Sequence, residues 1–384
     1  MTHSSLPINT TDLNSFTDKS FSLLHSKQKE SLANAVSGVL VANSLIPSKI
    51  GEGLAELKGR HPKHTKKQVD RLLSNEAIDV NYCQNVLAQF LIGNRSRIYV
   101  AKDWTVFHKD SQMIITLKLV TTHGRATPLL WKTVSSKNIK GKKNNHVKEL
   151  LFKLRQLAPK TCEVIVLADR EFGTLKTMKY LREMLGFHYI LRIKRNFTVT
   201  SSDNKKRLAH EWISGEETKS IDNAKITVKD YPIKKVVISK QPAMKDIWCL
   251  VCSLKNIATQ TVLDLYGKRW TTETSYRDEK DLQFGMGLKK SRIRSLDRRD
   301  RLLLISAIVI IILTLFGAAS EAAGYDKYIK SNTSKKRTHS LFSQGKVIIK
   351  LLHKLPDQWM RAIHRELQLF ICRSNNILSD TFVI

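Results

Sequence analysis

Residues 302 to 319, LLLISAIVIIILTLFGAA, form an 18-residue run without a charged side chain. No other feature limits the fold as much. A run of this length sits at the lower edge of what crosses a bilayer, roughly 18–20 residues. If it does not cross one, it is a helix buried on all sides, and such a helix needs a large core around it. The run stands alone, late in the chain, directly after SLDRRDR. We therefore read it as an internal helix of a large core and expect no membrane partner. The 384 residues supply enough chain for that core and for about two or three domains. MTHSSLPINTTDL at the start has neither a charged n-region nor an apolar h-region, so no secretory signal is expected.

Periodicity divides the rest. Residues 1–94 read as helical. SLANAVSGVLVAN is an amphipathic segment, SKIGEGLAELKG reads as a short helix with glycine breaks, and HTKKQVDRLLSN follows. In the last of these Val69, Leu72 and Leu73 share one face, and Lys66, Lys67 and Arg71 the other. Short helices joined by tight turns, the last one basic, fit a helix-turn-helix-like DNA-reading domain; a solvated three-helix bundle fits as well. From residue 96 the period changes. SRIYVAKDWTVF and MIITLKLV read as strands, with a turn at His123–Gly124 and a further strand after it. HVKELLFKLRQLA is a helix whose inner face is Val147, Leu150, Leu151 and Leu154; EVIVLAD is a buried central strand. GTLKTMKYLREML is a helix ended by Gly186, and FHYILRIKR another strand. The fold class is thus a mixed α/β core. A lysine-rich stretch, 196–253, carries the strand-like segments KITVKDY, KKVVISK and IWCLVCS and reads as a β-rich insertion before a long helix at about 258–280. The expected divisions are 1–94, 95–195, 196–253, 254–323 and 324–384, the last holding two amphipathic helices.

Charge narrows the partner. Lys and Arg number 65 against 34 Asp and Glu, a net +31. That excess points to a polyanion, nucleic acid ahead of an anionic membrane. Five scattered cysteines argue against a disulfide scaffold. Cys249 and Cys252 have metal-like spacing, but no second pair accompanies them and their context is a strand, so we read them as core residues. His61 and His64 lie among lysines that would repel a cation.

Three carboxylates stand out by position. Asp103 interrupts the strand IYVAKD. Asp169 ends the strand VIVLAD, and α/β sheets gather ligands at the carboxyl ends of strands. Glu273 lies in the segment YGKRWTTETSYRDEK. Oxygen ligands of this kind suit hard divalent cations. An aspartate at a strand end also serves as a plain turn or helix-cap residue. On one continuous helix, at about 100° per residue, Tyr266, Arg269, Glu273 and Lys280 fall within a stripe about 60° wide. An acid flanked by cations and a hydroxyl fits a metal ligand beside phosphate contacts; a surface ion-pair ladder fits the arithmetic equally.

The spacing Tyr266, two residues, Arg269, three residues, Glu273, six residues, Lys280 resembles the Y-(2)-R-(3)-E-(6)-K signature of bacterial insertion-sequence transposases of the DDE class. The transposases of the tetracycline and kanamycin composite transposons are related enzymes. KDWTVF, VLADREFG and FGMGLKKSRIRS resemble that family in order and spacing, over about residues 50–375. The resemblance implies a ribonuclease H-like core interrupted by the β-rich insertion. Asp103, Asp169 and Glu273 would be catalytic and would hold two Mg²⁺ ions, for which Mn²⁺ can substitute. Tyr266, Arg269 and Lys280 would contact DNA phosphates. Trp248 would stack on a base flipped from a DNA hairpin, although a core tryptophan in IWCLV explains it as well. Trp270 is expected to pack against the core. The partners would be double-stranded DNA, at the transposon ends and at the target, and a second copy of the chain, with dimerisation placed in 324–384. The location would be the bacterial cytoplasm, at the nucleoid. The competing reading is a catalytically inert, sequence-specific DNA-binding protein.

Overall fold

The computed structural model describes residues 16–372, apart from 19, 138, 243, 283–284, 332, 335–336 and 352–353. Two compact units emerge. The first draws its described residues from Met1–Asn94, Trp104–Leu157 and Thr271–Ile384; the second is Arg95–Asp103 with Ala158–Trp270.

The first unit opens with α1 (Ser26–Ala42), α2 (Pro47–Lys58), α3 (Pro62–Ser74) and α4 (Val80–Ile92). The chain turns by 93° between α1 and α2. The glycines expected to break α2 do not break it. They let backbones approach: a Cβ on Gly53 would lie 2.5 Å from the Gly38 carbonyl oxygen, and one on Gly38 would lie 2.5 Å from that of Ile50. The cost of glycine in a helix is offset by this contact. α3 buries Val69, Leu72 and Leu73 as its periodicity requires.

Strand β1 (Arg97–Phe107) passes from the second unit into the first, where β2 (Gln112–Leu119) and β3 (Thr127–Ser135) pair antiparallel beside it. Gly124, at φ 88°, sits in their connection, as expected. α5 (Lys143–Leu157) turns Val147, Leu150, Leu151 and Leu154 inward.

In the second unit β1 is followed across the sheet by β4 (Glu163–Ala168) and β5 (His188–Arg192), all parallel. Between β4 and β5 the helix is shorter than its periodicity implied. α6 (Leu175–Lys179) gives way to a wider π turn over Tyr180–Met184, closed by Leu185 N–H on the Tyr180 carbonyl. The lysine-rich stretch supplies β6 (Thr198–Thr200), β7 (Lys206–Leu208), β8 (Thr218–Ile226), β9 (Tyr231–Ser239) and β10 (Trp248–Cys252). These extend the sheet from β5 in the order β10-β9-β8-β6-β7, every pair antiparallel. The fold is a mixed α/β fold of ten strands among the described residues.

The long helix expected at 258–280 is two helices, α7 (Thr259–Gly267) and α8 (Trp270–Lys280). Gly267 ends the first. Lys268 N–H reaches the Asp264 and Tyr266 carbonyls, and Arg269 N–H closes a tight turn on Tyr266. Glycine is a poor helix-interior residue and a common point of termination.

The apolar run lies within α9 (Leu296–Ala322), which is buried along its whole length from Arg301 to Ser320. It packs on α1, α3, α4 and β3 and on two later amphipathic helices, α10 (Leu341–Leu351) and α11 (Asp357–Cys372). This is the internal helix expected from the sequence.

Candidate active site

In the second unit the register of β1 with β4 runs from Arg97↔Glu163 to Ala101↔Leu167. Each chain then runs two residues further, to Asp103 within β1 and to Asp169 immediately after the end of β4. Neighbouring strands lie about 4.8 Å apart. Both aspartates are half-buried. The turn after Asp169 is fixed by Phe172 N–H on the Asp169 carbonyl and by Gly173, where a Cβ would collide with the Arg192 carbonyl oxygen at 1.9 Å.

One Asp169 carboxylate oxygen, Oδ1, is buried and accepts no hydrogen bond. The Lys102 ammonium lies 3.8 Å from it, longer than a direct hydrogen bond. Lys102 is itself buried, with its ammonium 5.1 Å from the centre of the Phe172 ring. Sequence reasoning passed over Lys102, because it reads as one more cation in a basic chain.

Tyr266, on α7, is almost fully buried. Its ring meets the Trp248 ring edge-on, with centroids 4.9 Å apart and planes at 78°. The Arg269 guanidinium lies 5.7 Å from the Tyr266 ring and 5.5 Å from the Trp270 ring. Burial pushes the Tyr266 hydroxyl pKa up; the charges of Arg269 and Arg192 oppose the rise and that of Asp169 adds to it. Tyr266, Arg269, Arg192 and Asp169 therefore share one electrostatic neighbourhood. Arg192 is a second residue the sequence gave no reason to single out; its guanidinium also donates to the Ile247 carbonyl at 3.0 Å. Trp270 does not pack into the core as expected: it is half exposed, and its ring faces Arg269. Cys249 and Cys252 are core side chains of β10, and burial raises each thiol to about 11.

In the first unit α8 carries three acids with different environments. Burial raises the Asp278 pKa while its ion pair with Arg125 opposes the rise. Glu279 is buried and accepts from Lys118 Nζ at 2.5 Å; that ammonium also donates to Ser275 and lies 3.7 Å from the Tyr276 ring centre. These two acids fasten α8 to β2 and the turn after it. Glu273 instead is exposed, in the first turn of α8, where the positive end of the helix dipole favours a carboxylate. Lys280 ends the helix, its ammonium 3.9 Å from the Tyr276 ring centre.

The stripe expected from helical arithmetic is not a single helix face. Tyr266 lies on α7 and Glu273 and Lys280 on α8, with the break at Lys268–Arg269 between them. Asp103 and Asp169 belong to one unit and Glu273 to the other. Among the described residues no group of three or more His, Cys, Asp or Glu lies close enough to hold a metal. The donors still fit a hard dication in kind: carboxylate oxygens only, one of them buried without a hydrogen bond. Of the expected reading-helix cations, Lys67 and Arg71 are exposed on α3, and Lys66 is paired with Glu52 at 2.8 Å.

Compared with known protein families, residues 116–312 match the one described as Transposase DDE domain. The match covers slightly more than half of the chain, from within β2 to within α9. It takes in Asp169, Glu273 and the whole Tyr266–Lys280 signature, and starts after Asp103. No curated protein matches the chain.

Proposed function

The chain belongs to the transposase DDE domain family, a polynucleotidyl transferase with DNA as its partner, and from that premise we propose a cut-and-paste enzyme of the insertion-sequence type. It binds the terminal inverted repeats, cuts both strands, and joins the freed 3′-hydroxyls to target DNA. In this reading the core is ribonuclease H-like and the signature is that of the enzymes of the composite transposons. The observation that carries it is Asp103 on β1 and Asp169 just past the end of the neighbouring parallel strand β4, each two residues beyond the last paired residues Ala101 and Leu167, with Asp169 Oδ1 buried and without a hydrogen bond.

Asp103, Asp169 and Glu273 would hold two Mg²⁺ ions, or Mn²⁺ in their place. When bound, such ions about 3.5–4 Å apart activate the attacking water and neutralise the leaving oxygen. The chain's own cations do the positioning. Arg269, set beside two aromatic rings, and Lys280 donate to phosphate oxygens; Tyr266, the third contact of the signature, is almost fully buried beside Arg269 and would have to be uncovered to reach a phosphate itself. Lys67 and Arg71 on α3 present exposed charge for reading the ends. Two copies of the chain act together, each cutting the end held by the other, with 324–384 joining them. An enzyme with this partner works in the bacterial cytoplasm, at the nucleoid. The test is cleavage of duplexes carrying the element's ends: strand breaks are expected with Mg²⁺ and none after chelation. Metal-independent breakage would sink the two-ion reading.

In this reading Trp248, half-buried at the start of β10, stacks on a base flipped out of a hairpin intermediate. Stacking of this kind contributes about 1–3 kcal/mol per base. Trp248→Ala is expected to bind and nick the ends normally, then accumulate nicked ends as double-strand breaks slow. Equal slowing of the first nick would show instead that the ring only braces Tyr266.

A further inference from the structure

The loop after α8 and the turn between β1 and β2 enclose a groove of ≈ 720 Å³ in the first unit. Lys289, Lys290, Arg292, Arg294, His108 and Lys109 line it, and all six are exposed. The single carboxylate there, Asp110, accepts from the Arg299 guanidinium at 2.6 Å. Crowded cations repel one another, and among the described lining residues the one carboxylate, Asp110, is engaged by Arg299.

A buried arginine holds this arrangement in place. Arg299, wholly buried, donates to Gln112 at 2.7 Å, Ser291 at 2.9 Å and the Ile293 carbonyl at 2.8 Å, besides Asp110. Gln112 in turn donates to the Arg294 carbonyl at 2.6 Å. The loop therefore alternates: Ser291 and Ile293 turn inward, Arg292 and Arg294 outward. Arg292 sits at φ 52°, a left-handed conformation that a residue of its type rarely takes and that its locked neighbours impose. The backbone that carries the outward cations is thus fixed before any ligand arrives.

We propose that this groove is a binding track for the sugar–phosphate backbone of double-stranded DNA, distinct from the phosphate contacts assigned to Tyr266, Arg269 and Lys280. The inference rests on the DNA-cutting reading above, and the groove lies in the same unit as Glu273, on the segment that follows its helix. A backbone track is sequence-independent, so the duplex in it is either the element's end with its flank or the target.

The test compares Arg292→Ala/Arg294→Ala with a control of equal charge loss, Lys225→Ala/Lys229→Ala, two exposed residues of β8 and the turn after it. Each is titrated with salt against a duplex bearing the element's end and a duplex of unrelated sequence. Each lost phosphate contact flattens the slope of log affinity against log salt by about 0.9, so the groove variant is expected to be shallower than wild type by about 1.8. An Arg292→Lys/Arg294→Lys variant is expected to restore most of the slope. Loss on the end duplex alone, or on both duplexes, supports the track and names its occupant. A groove variant indistinguishable from the control on both duplexes overturns it. If wild-type protein itself shows no salt dependence, the DNA-cutting reading falls first, and the groove falls with it.

Discussion

Glu273→Gln is expected to leave the protein folded and bound to its DNA ends while cleavage and joining fall by on the order of 10³-fold or more, about 4 kcal/mol of barrier. The substitution keeps the shape of the side chain and removes one ligand charge. Glu273 is exposed, so the change buries no new polar group in the core. End binding should hold or rise, since a negative charge facing phosphate is gone. The neighbouring acids give the contrast. Glu279→Gln breaks a buried pair with Lys118, a change that typically costs about 3–5 kcal/mol, so it should lower the melting temperature sharply. Lys280→Ala should weaken phosphate positioning and leave residual Mg²⁺-dependent cleavage. Assaying the three variants for melting, gel-shift affinity and nicking separates the roles. Full nicking by Glu273→Gln would overturn its assignment.

What the sequence disclosed and what it hid follow from how each residue acts. β1, β2 and β4 were legible because side-chain alternation and unbroken apolar runs are local. α9 was legible because a charge-free run of 18 residues has few destinations. Asp169 was legible from its place at the end of a buried strand. The break after Gly267 was hidden because the signature crosses it without a gap in spacing, and helical arithmetic assumes one axis. The roles of Asp278 and Glu279 were hidden because their partners, Arg125 and Lys118, lie about 150–160 residues upstream and meet them only in the folded chain. Arg299 was hidden in SLDRRDR, where nothing in the sequence distinguishes the wholly buried arginine from the half-buried Arg298 beside it. Gly51 and Gly53 looked like breaks because glycine's local cost is visible in sequence and its packing contact is not.

Ile310→Asp should abolish the native fold. Ile310 lies midway along α9 and is 4% exposed, in a helix with every position from Arg301 to Ser320 buried. The hydroxyls that α9 does bury in its second half bond back to their own helix: Thr314 donates to the Ile310 carbonyl at 2.7 Å, and Ser320 to that of Gly317 at 2.9 Å. A carboxylate at 310 has no such recourse, being acceptor-only when ionised, in a helix whose own N–H groups are already engaged. Burying it unpaired costs several kcal/mol, on top of the lost apolar burial and packing of isoleucine, about 2–5 kcal/mol. Total stability of a domain is about 5–15 kcal/mol, so the sum consumes most or all of it. Ile310→Val, which removes one methyl, should cost only about 0.5–1.5 kcal/mol and keep DNA binding. Circular dichroism melts and sedimentation of the three proteins decide the matter. The same preparation tests the membrane alternative. With α9 enclosed by helices and β3, wild-type protein is expected to stay in the supernatant with DNA-free vesicles after a high-salt wash. Stable partition of the wild type into those vesicles, with Ile310→Asp folded and released, would show that α9 faces lipid rather than a core.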